Sequence, residues 1–351
     1  VPALAENILR TSSNHGAHGY KVSLIDLYRL PYILDINWLL LFKEGKIRQL
    51  VINTIVNSLN EGILILWKNA LGKRSIVRGI EMYGPDFFLL PNKHWVVKKT
   101  YKDKVMIQNV HTREELEIDI EYLIPSLRRP GLYVNRIVVQ PDHYFISIPP
   151  KDLECFPEDI RRYIEWGIKA GTAFPAVRSF GKYWYSHVHK QITIKKPFGQ
   201  VFVPDKVDLL FKNRSVFANY TKEKVAASKN FYIVRNNDET LSKLLIGWFN
   251  STIFISVLML LGRRISETWT RFLENDYVEL PIVNINAINK EAMVEVIENV
   301  NKVLNKPLPP LWEQLNKEYR YKLDLSIAKL IGIENPEKII SDLYQALFSN
   351  L

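Results

Sequence analysis

The hydrophobic positions of this chain fall into short, interrupted runs until residue 244, where they fuse. Leu244 to Leu261 is an almost unbroken apolar stretch of 18 residues, close to the length that spans a bilayer. Gly247, Asn250, Ser251, Thr252 and Ser256 put polar atoms near its middle. The pattern therefore predicts a wholly buried core helix rather than a membrane anchor. A capping box at Asn236 and Glu239 would open it, and Gly262 would close it as a left-handed C′ residue. Arg263, Arg264, Trp269 and Arg271 follow at once, so the helix would deliver a cationic, aromatic segment to a fixed place.

Shorter periods organise the rest. Residues 51–55 and 62–67 read as an antiparallel hairpin, and 74–80 as a further strand. Residues 93–121 are polar and charge-mixed and read as a surface linker or exposed elements. Pro125, Pro130, Pro141, Pro149, Pro150 and Pro157 then punctuate strand-like runs at 136–139 and 143–148. Ile160, Ile164 and Ile168 predict a helix over 158–170, and further helices are expected at 291–304, 312–331 and 337–348. The mixture is that of an α/β (mixed α+β) protein, and 351 residues suffice for two domains with real cores.

Charge changes the picture. The formal net charge is +10, which favours polyanions, nucleic acid first and anionic membrane second. Between Arg178 and Lys224 stand ten Lys or Arg residues against three acids, an excess of seven in 47 positions. Read as a strand, 178–185 would set Lys182 and Trp184 on one face. Cations hold phosphates and rings stack on bases or pack on sugars, which makes Arg178, Lys182, Trp184, Lys195, Lys196, Lys206 and Arg214 candidate DNA contacts. Each aromatic has a plainer reading as core. Arg128 and Arg129, before the Pro130-Gly131 turn, form a second candidate site. Arg263, Arg264, Trp269 and Arg271 form a third, since guanidinium groups fork onto guanine. For Arg263 an interaction with the helix macrodipole is the alternative.

Other chemistries find little support. Glycine-rich phosphate loops, GxGxxG after a strand and His-Glu-x-x-His are absent from the sequence. His187 and His189 would share a strand face but lack an obvious third ligand, and His15 and His18 sit in a Gly-rich loop. No metal or catalytic residue is assigned. Cys155 is the single cysteine, which excludes an internal disulfide and suits a reducing, cytoplasmic setting.

The order of several segments resembles a known family. It comprises Tyr122 to Arg129 (YLIPSLRR), Tyr144 to Pro149 (YFISIP), the Trp184 region, Phe202 to Val207 (FVPDKV), Phe231 to Val234 (FYIV), Leu244 to Thr252 (LLIGWFNST) and Leu323 to Ile333 (LDLSIAKLIGI). The series resembles the C-terminal half of gamma-class adenine-N6 DNA methyltransferases, the TaqI-like and type IIG restriction–modification group, and covers about residues 122–351. The resemblance implies the distal part of a methyltransferase-like α/β domain plus linker over 1–121, a DNA target-recognition domain over 122–290 and a C-terminal helical region over 291–351. The family's Asn/Asp-Pro-Pro-Tyr/Phe motif and S-adenosylmethionine-binding turn are missing; Pro149-Pro150 is flanked by Ile148 and Lys151.

The expected function is therefore duplex DNA recognition, as the specificity portion of an adenine-N6 methyltransferase or restriction–modification enzyme. By itself the chain should not methylate. S-adenosylmethionine would belong to the intact enzyme, and the partners would be double-stranded DNA and a catalytic methyltransferase region or subunit, with no membrane. The chain is expected to be a fragment or a separate specificity subunit. The alternatives are a divergent S-adenosylmethionine-dependent DNA methyltransferase or nuclease with an unrecognised site, and a basic protein-interaction subunit.

Overall fold

The computed structural model describes residues 54–208, 213–261, 263–264 and 269–348, with backbone alone at 260, 261, 263 and 264. Expectations for His15, His18, residues 51–53 and Gly262 fall outside the described residues. The fold is mixed α+β, as the patterning implied.

A helix over 54–60 leads into β1 (Leu64–Leu66), β2 (Ile76–Arg78) and β3 (Leu89–Leu90). The expected N-terminal hairpin does not form, because β1 pairs instead with a strand some 220 residues later. β4 (Trp95–Thr100), β5 (Lys104–Asn109) and β6 (Glu115–Asp119) make an antiparallel meander. The region reads in sequence as a surface linker or exposed elements, and it does form elements, but Val105, Ile107, Leu116 and Ile118 alternate inward and are fully buried. Charged residues at the intervening positions had masked that alternation. β7 (Leu123–Leu127) and β8 (His143–Ile146) follow, then α1 (Glu158–Lys169), α2 (Phe174–Phe180) and α3 (His187–Lys195). The segment 178–185, expected as a strand, is helical: the end of α2 and a 3-10 turn over Gly181–Ser186.

The second half begins with β9 (Gly199–Pro204), β10 (Lys206–Asp208), β11 (Asn219–Ala227) and β12 (Phe231–Val234). α4 (Glu239–Asn250) and α5 (Thr252–Leu261) carry the long apolar run, followed by β13 (Arg263–Arg264), β14 (Trp269–Arg271) and β15 (Pro281–Val283). Helices α6 (Lys290–Val303), α7 (Glu318–Leu330) and α8 (Pro336–Phe348) close the described chain.

Seven strands form one sheet in the order β2-β12-β9-β11-β7-β8-β3. β11 and β7 are parallel, with Ala226 opposite Ser126, and the other pairs are antiparallel. Alternation along its central strands serves two cores. Val201, Val203, Tyr232 and Val234 face the large core with Trp67, Leu245, Phe249, Val300 and Ile327. Phe202, Phe231 and Ile233 face a smaller one with Leu127 and Tyr133. A further core, including Phe87, Phe88, Trp95, Tyr163 and Trp184, joins the meander to α1–α3. β1 pairs with β15, Ile65 opposite Ile282, and so ties residues near the start of the described chain to the large core.

The apolar run is buried but is not one helix. It breaks at Ser251, where the two pieces bend by 59°. Asp238, two residues beyond the expected cap, opens α4 by accepting from the Thr240 and Leu241 amides. At the break the Asn250 side chain reaches out of the helix: its Oδ1 accepts from the Phe217 and Ala218 amides, and its Nδ2 donates to Ala218 O as well as to Ile246 O one turn back. Ser251 then caps α5, its Oγ accepting from Phe254 N at 3.1 Å. The polar residues inside the run are thus a junction. Among the described residues, no single helix is long and apolar enough to cross a membrane.

The junction is locked by a buried carboxylate. Asp324 of α7 is fully buried. It accepts from Thr252 N at 2.7 Å, Arg320 Nε at 3.0 Å and Tyr344 Oη at 2.6 Å, and also from the Thr252 hydroxyl. Arg320 in turn donates to Thr252 Oγ1. Removing one member of such a network leaves an uncompensated charge in the core. Asp324→Ala is expected to destabilise the fold by about 3–5 kcal/mol, whereas Lys322→Ala on the exposed side of α7 should change stability by less than ~1 kcal/mol. Urea titration of the two variants checks the contrast.

Candidate nucleic-acid interface

β10, β14 and β13 form a small antiparallel sheet in that order. Val207 and Thr270 are opposite one another and buried. Alternation therefore turns Lys206, Asp208, Trp269 and Arg271 to the outer face. Lys206 lies opposite Arg271, and Arg263 in β13 is opposite Arg271 on its other side. Trp269 is 49% exposed. Three cationic positions thus stand in register across three strands, beside an accessible indole. Arg264 is opposite Thr270.

Asp205 underlies this face. It is 8% exposed, and burial pushes its carboxyl pKa up against the pull of Lys206, Arg78 and Arg271. Arg271 is half-buried, and its Nε is enclosed without a hydrogen-bond partner. Arg78, at the end of β2, extends the cationic surface. Its Nε donates to Lys229 O at 3.2 Å, and Lys229 Nζ pairs with Glu81 at 2.6 Å. The hydrogen bond from Lys229 holds the Glu81 carboxyl below its ordinary range, with Arg78 and Lys195 adding to the effect. Lys195 is half-buried, which lowers its pKa, and its Nζ donates to Gln191 Oε1 at 3.0 Å. Arg235, the residue after β12, donates to the Lys195 carbonyl. Lys195, Lys206 and Arg271 are therefore brought together through Arg78, which the sequence reading missed along with Lys229 and Arg235. Arg78 ends a short apolar strand, and Lys229 and Arg235 stand alone on either side of β12, so only the pairing of β2 with β12 places them beside the basic segment.

Two candidates are withdrawn. Trp184 is a core residue, its ring 4.6 Å from Phe87 and 5.6 Å from Tyr185. The 3-10 turn points it inward, where a strand would have shared its face with Lys182. Arg214 is also buried. Burial lowers its pKa to about 10, and its guanidinium donates to the Val216 and Phe217 carbonyls. It satisfies an irregular segment inside the protein. The remaining candidates are accessible in different settings. Arg178 is exposed on α2 and Lys196 is exposed in left-handed backbone after α3. Lys182 is exposed but already bound to Asp152 at 2.6 Å and lies over the Tyr183 ring. His187 and His189 lie on a helix, not a strand, and point apart: His187 bonds Glu81 O and His189 bonds Ser147 Oγ. Among the described residues, no group of three metal-ligating side chains exists.

Arg128 and Arg129 open an irregular segment that runs to Asp142. Its backbone is fastened at intervals from 128 to 139. Arg128 N donates to Tyr133 Oη at 3.2 Å and Ser228 Oγ donates to Arg128 O. Asn219 Nδ2 donates to both Tyr133 O and Arg136 O, at 3.0 and 2.9 Å. Val134 O and Asn135 O accept from Ser215 N and Leu308 N, and Val139 N donates to Tyr220 O. Tyr133 Oη also donates to Asp142, whose other partner is His143 Nδ1 at 2.7 Å. Burial alone would raise the Asp142 carboxyl, but these hydrogen bonds outweigh it and hold the pKa below the usual value. Arg128 is half-buried and Arg129 exposed.

A cavity of about 10 Å³ lies between α4, α6 and α7, lined by Asn250, Gln314, Tyr319 and Arg320 among others. It has room for one water, not for S-adenosylmethionine.

No family model and no curated protein sequence matches the chain. Its fold is similar to that of part of a solved structure, the type IIG restriction endonuclease BpuSI, at 17% identity and a TM-score of 0.57. The match covers 87% of this chain and 33% of that one, so the chain spans about a third of the length of its structural neighbour and shares the fold of that portion of a restriction–modification enzyme.

Proposed function

We propose that this chain is the DNA target-recognition portion of a restriction–modification enzyme, presenting duplex DNA to an adenine-N6 methyltransferase centre in another region or subunit. The observation that carries the reading is the in-register cationic row on β10-β14-β13, with Trp269 beside it and Arg78 and Lys195 continuing it. Its occurrence on a fold shared with part of a type IIG restriction endonuclease supports the same reading. Phosphate contacts from such a row fix register and orientation on the duplex, while base edges supply specificity. S-adenosylmethionine would be held in the methyltransferase region.

Duplex binding by the 351-residue chain should weaken steeply as salt rises. Arg271→Ala and Lys206→Ala should each reduce the slope of log K against log salt by about one. Fluorescence anisotropy over a salt series measures both, and salt-independent binding or none would end the proposal. Arg214→Met is the contrasting variant: the slope should persist while stability falls, because the carbonyls it serves lose their donors.

Asp205 gives a pH test. Its carboxyl pKa is raised in the fold, so relative stability is greatest below the unfolded value and is lost as pH rises through the folded one. At neutral pH the carboxylate is a net cost and also offsets a nearby cation. Asp205→Asn should therefore raise Tm at pH 7 but not at pH 3, and should tighten duplex binding. Weaker binding with an unchanged Tm would contradict this account of the site.

A further inference from the structure

The irregular segment 128–142 combines a fixed backbone with side chains that have nothing to hold. Arg129, Asn135, Arg136 and Gln140 are exposed, and their side chains form no hydrogen bond or ion pair among the described residues. The five consecutive carbonyls from Tyr133 to Ile137 are all engaged. Those of Tyr133 and Arg136 share Asn219 Nδ2, that of Val134 takes Ser215 N, that of Asn135 takes Leu308 N and that of Ile137 takes Tyr220 N. The partners come from β11, from the segment before it and from the chain after α6, so the loop is gripped on several sides. Long irregular loops inside a compact protein are ordinarily either functional or mobile, and this one is pinned from 128 to 139, with the Asp142 side chain held by Tyr133 Oη beyond Gln140.

The chemistry of the four side chains is selective. Arginine forks onto the O6 and N7 of guanine, and Asn or Gln onto the N6 and N7 of adenine. Lysine, the ordinary phosphate ligand, does not occur between 128 and 142. The cationic row on β10-β14-β13 has the opposite character: Lys206 and Arg271 lie beside an acidic group and address charge. We propose that segment 128–142 is the base-reading element of this protein, with Arg129 and Arg136 addressing guanine edges and Asn135 and Gln140 addressing adenine edges in the major groove. The inference rests on the duplex-DNA reading above and adds to it the residues that determine sequence preference. Asn219 is a positioning residue, since one amide group fixes two points of the loop.

The test is selection from a library of duplexes with a randomised central segment, using the whole chain, its Arg129→Ala/Arg136→Ala variant and its Asn135→Ala/Gln140→Ala variant. These positions are exposed, and an unchanged Tm would show that the variants fold. The wild type should enrich a defined motif. Each variant should lose preference at a subset of its base pairs, by roughly 10- to 100-fold per lost contact, while affinity for unrelated duplex stays within about threefold because the phosphate contacts remain. Retention of the full motif by both variants would overturn the assignment and leave the duplex-DNA reading standing. Salt-sensitive binding with no enriched motif would also overturn it. Absence of duplex binding by the wild type would remove the underlying reading itself, an outcome visible before any variant is made.

Discussion

The arrangement of the second half of this protein depends on one buried carboxylate. Asp324 receives the first amide and the hydroxyl of α5, the guanidinium of Arg320 and the phenol of Tyr344. An apolar run such as 244–261 has every reason to continue as a straight helix. Asn250 diverts it by bonding the backbone at 217–218, and Asp324 makes a new N-terminus at Thr252 stable where the old helix ends. Carboxylates at helix N-termini are favoured by both the free amides and the dipole. The bend sets where α5 ends, and β13 follows two residues later. The register of the cationic row is thus downstream of a polar junction inside the most apolar part of the chain.

Much of this was legible in the pattern of residues, and the failures have physical causes. The burial of 244–258 and the helices at 158–169, 290–303 and 336–348 follow from periodicity. The break at Ser251 does not, because Asn250 and Thr252 find their partners 32 and 72 residues away. The buried face of the meander is hidden in the sequence for a different reason. Lys104, Glu115 and Glu117 occupy its outer face, and local charge density outweighed an inward alternation only four residues long. The pairing of β1 with β15 has no local signature at all.

Charge was legible as a total and illegible as a surface. The excess between Arg178 and Lys224 contains residues of three kinds: Arg214, spent inside on carbonyls; Lys182, tied to an aspartate at the rim; and Lys206, free to face solvent on a strand. Sequence counts weigh them equally. Arg78 and Lys229 lie outside or at the margin of that segment and still belong to the surface, since β2 pairs with β12 and Tyr232 is opposite Arg78. Trp184 and Trp269 divide in the same way. The first sits in a 3-10 turn over Phe87, and the second is on the outward face of a two-sided strand.

Holding a polyanion and distinguishing its sequence make different demands on a protein, and the two surfaces here differ accordingly. Phosphate attraction is long-ranged and tolerant of geometry, so it suits cations on short strands whose positions matter more than their orientation. Base-edge recognition needs donors and acceptors held to within about half an ångström. That tolerance cannot come from a freely moving loop, because ordering it on binding would cost about 1–2 kcal/mol for each residue fixed. Segment 128–142 has lost most of that freedom in folding, from 128 to 139, through Asn219, Ser228, Tyr133 and the amides of Ser215 and Leu308. A loop ordered by the fold can use its side chains for discrimination, and that is the physical reason for proposing this segment, rather than the more basic sheet, as the base-reading element.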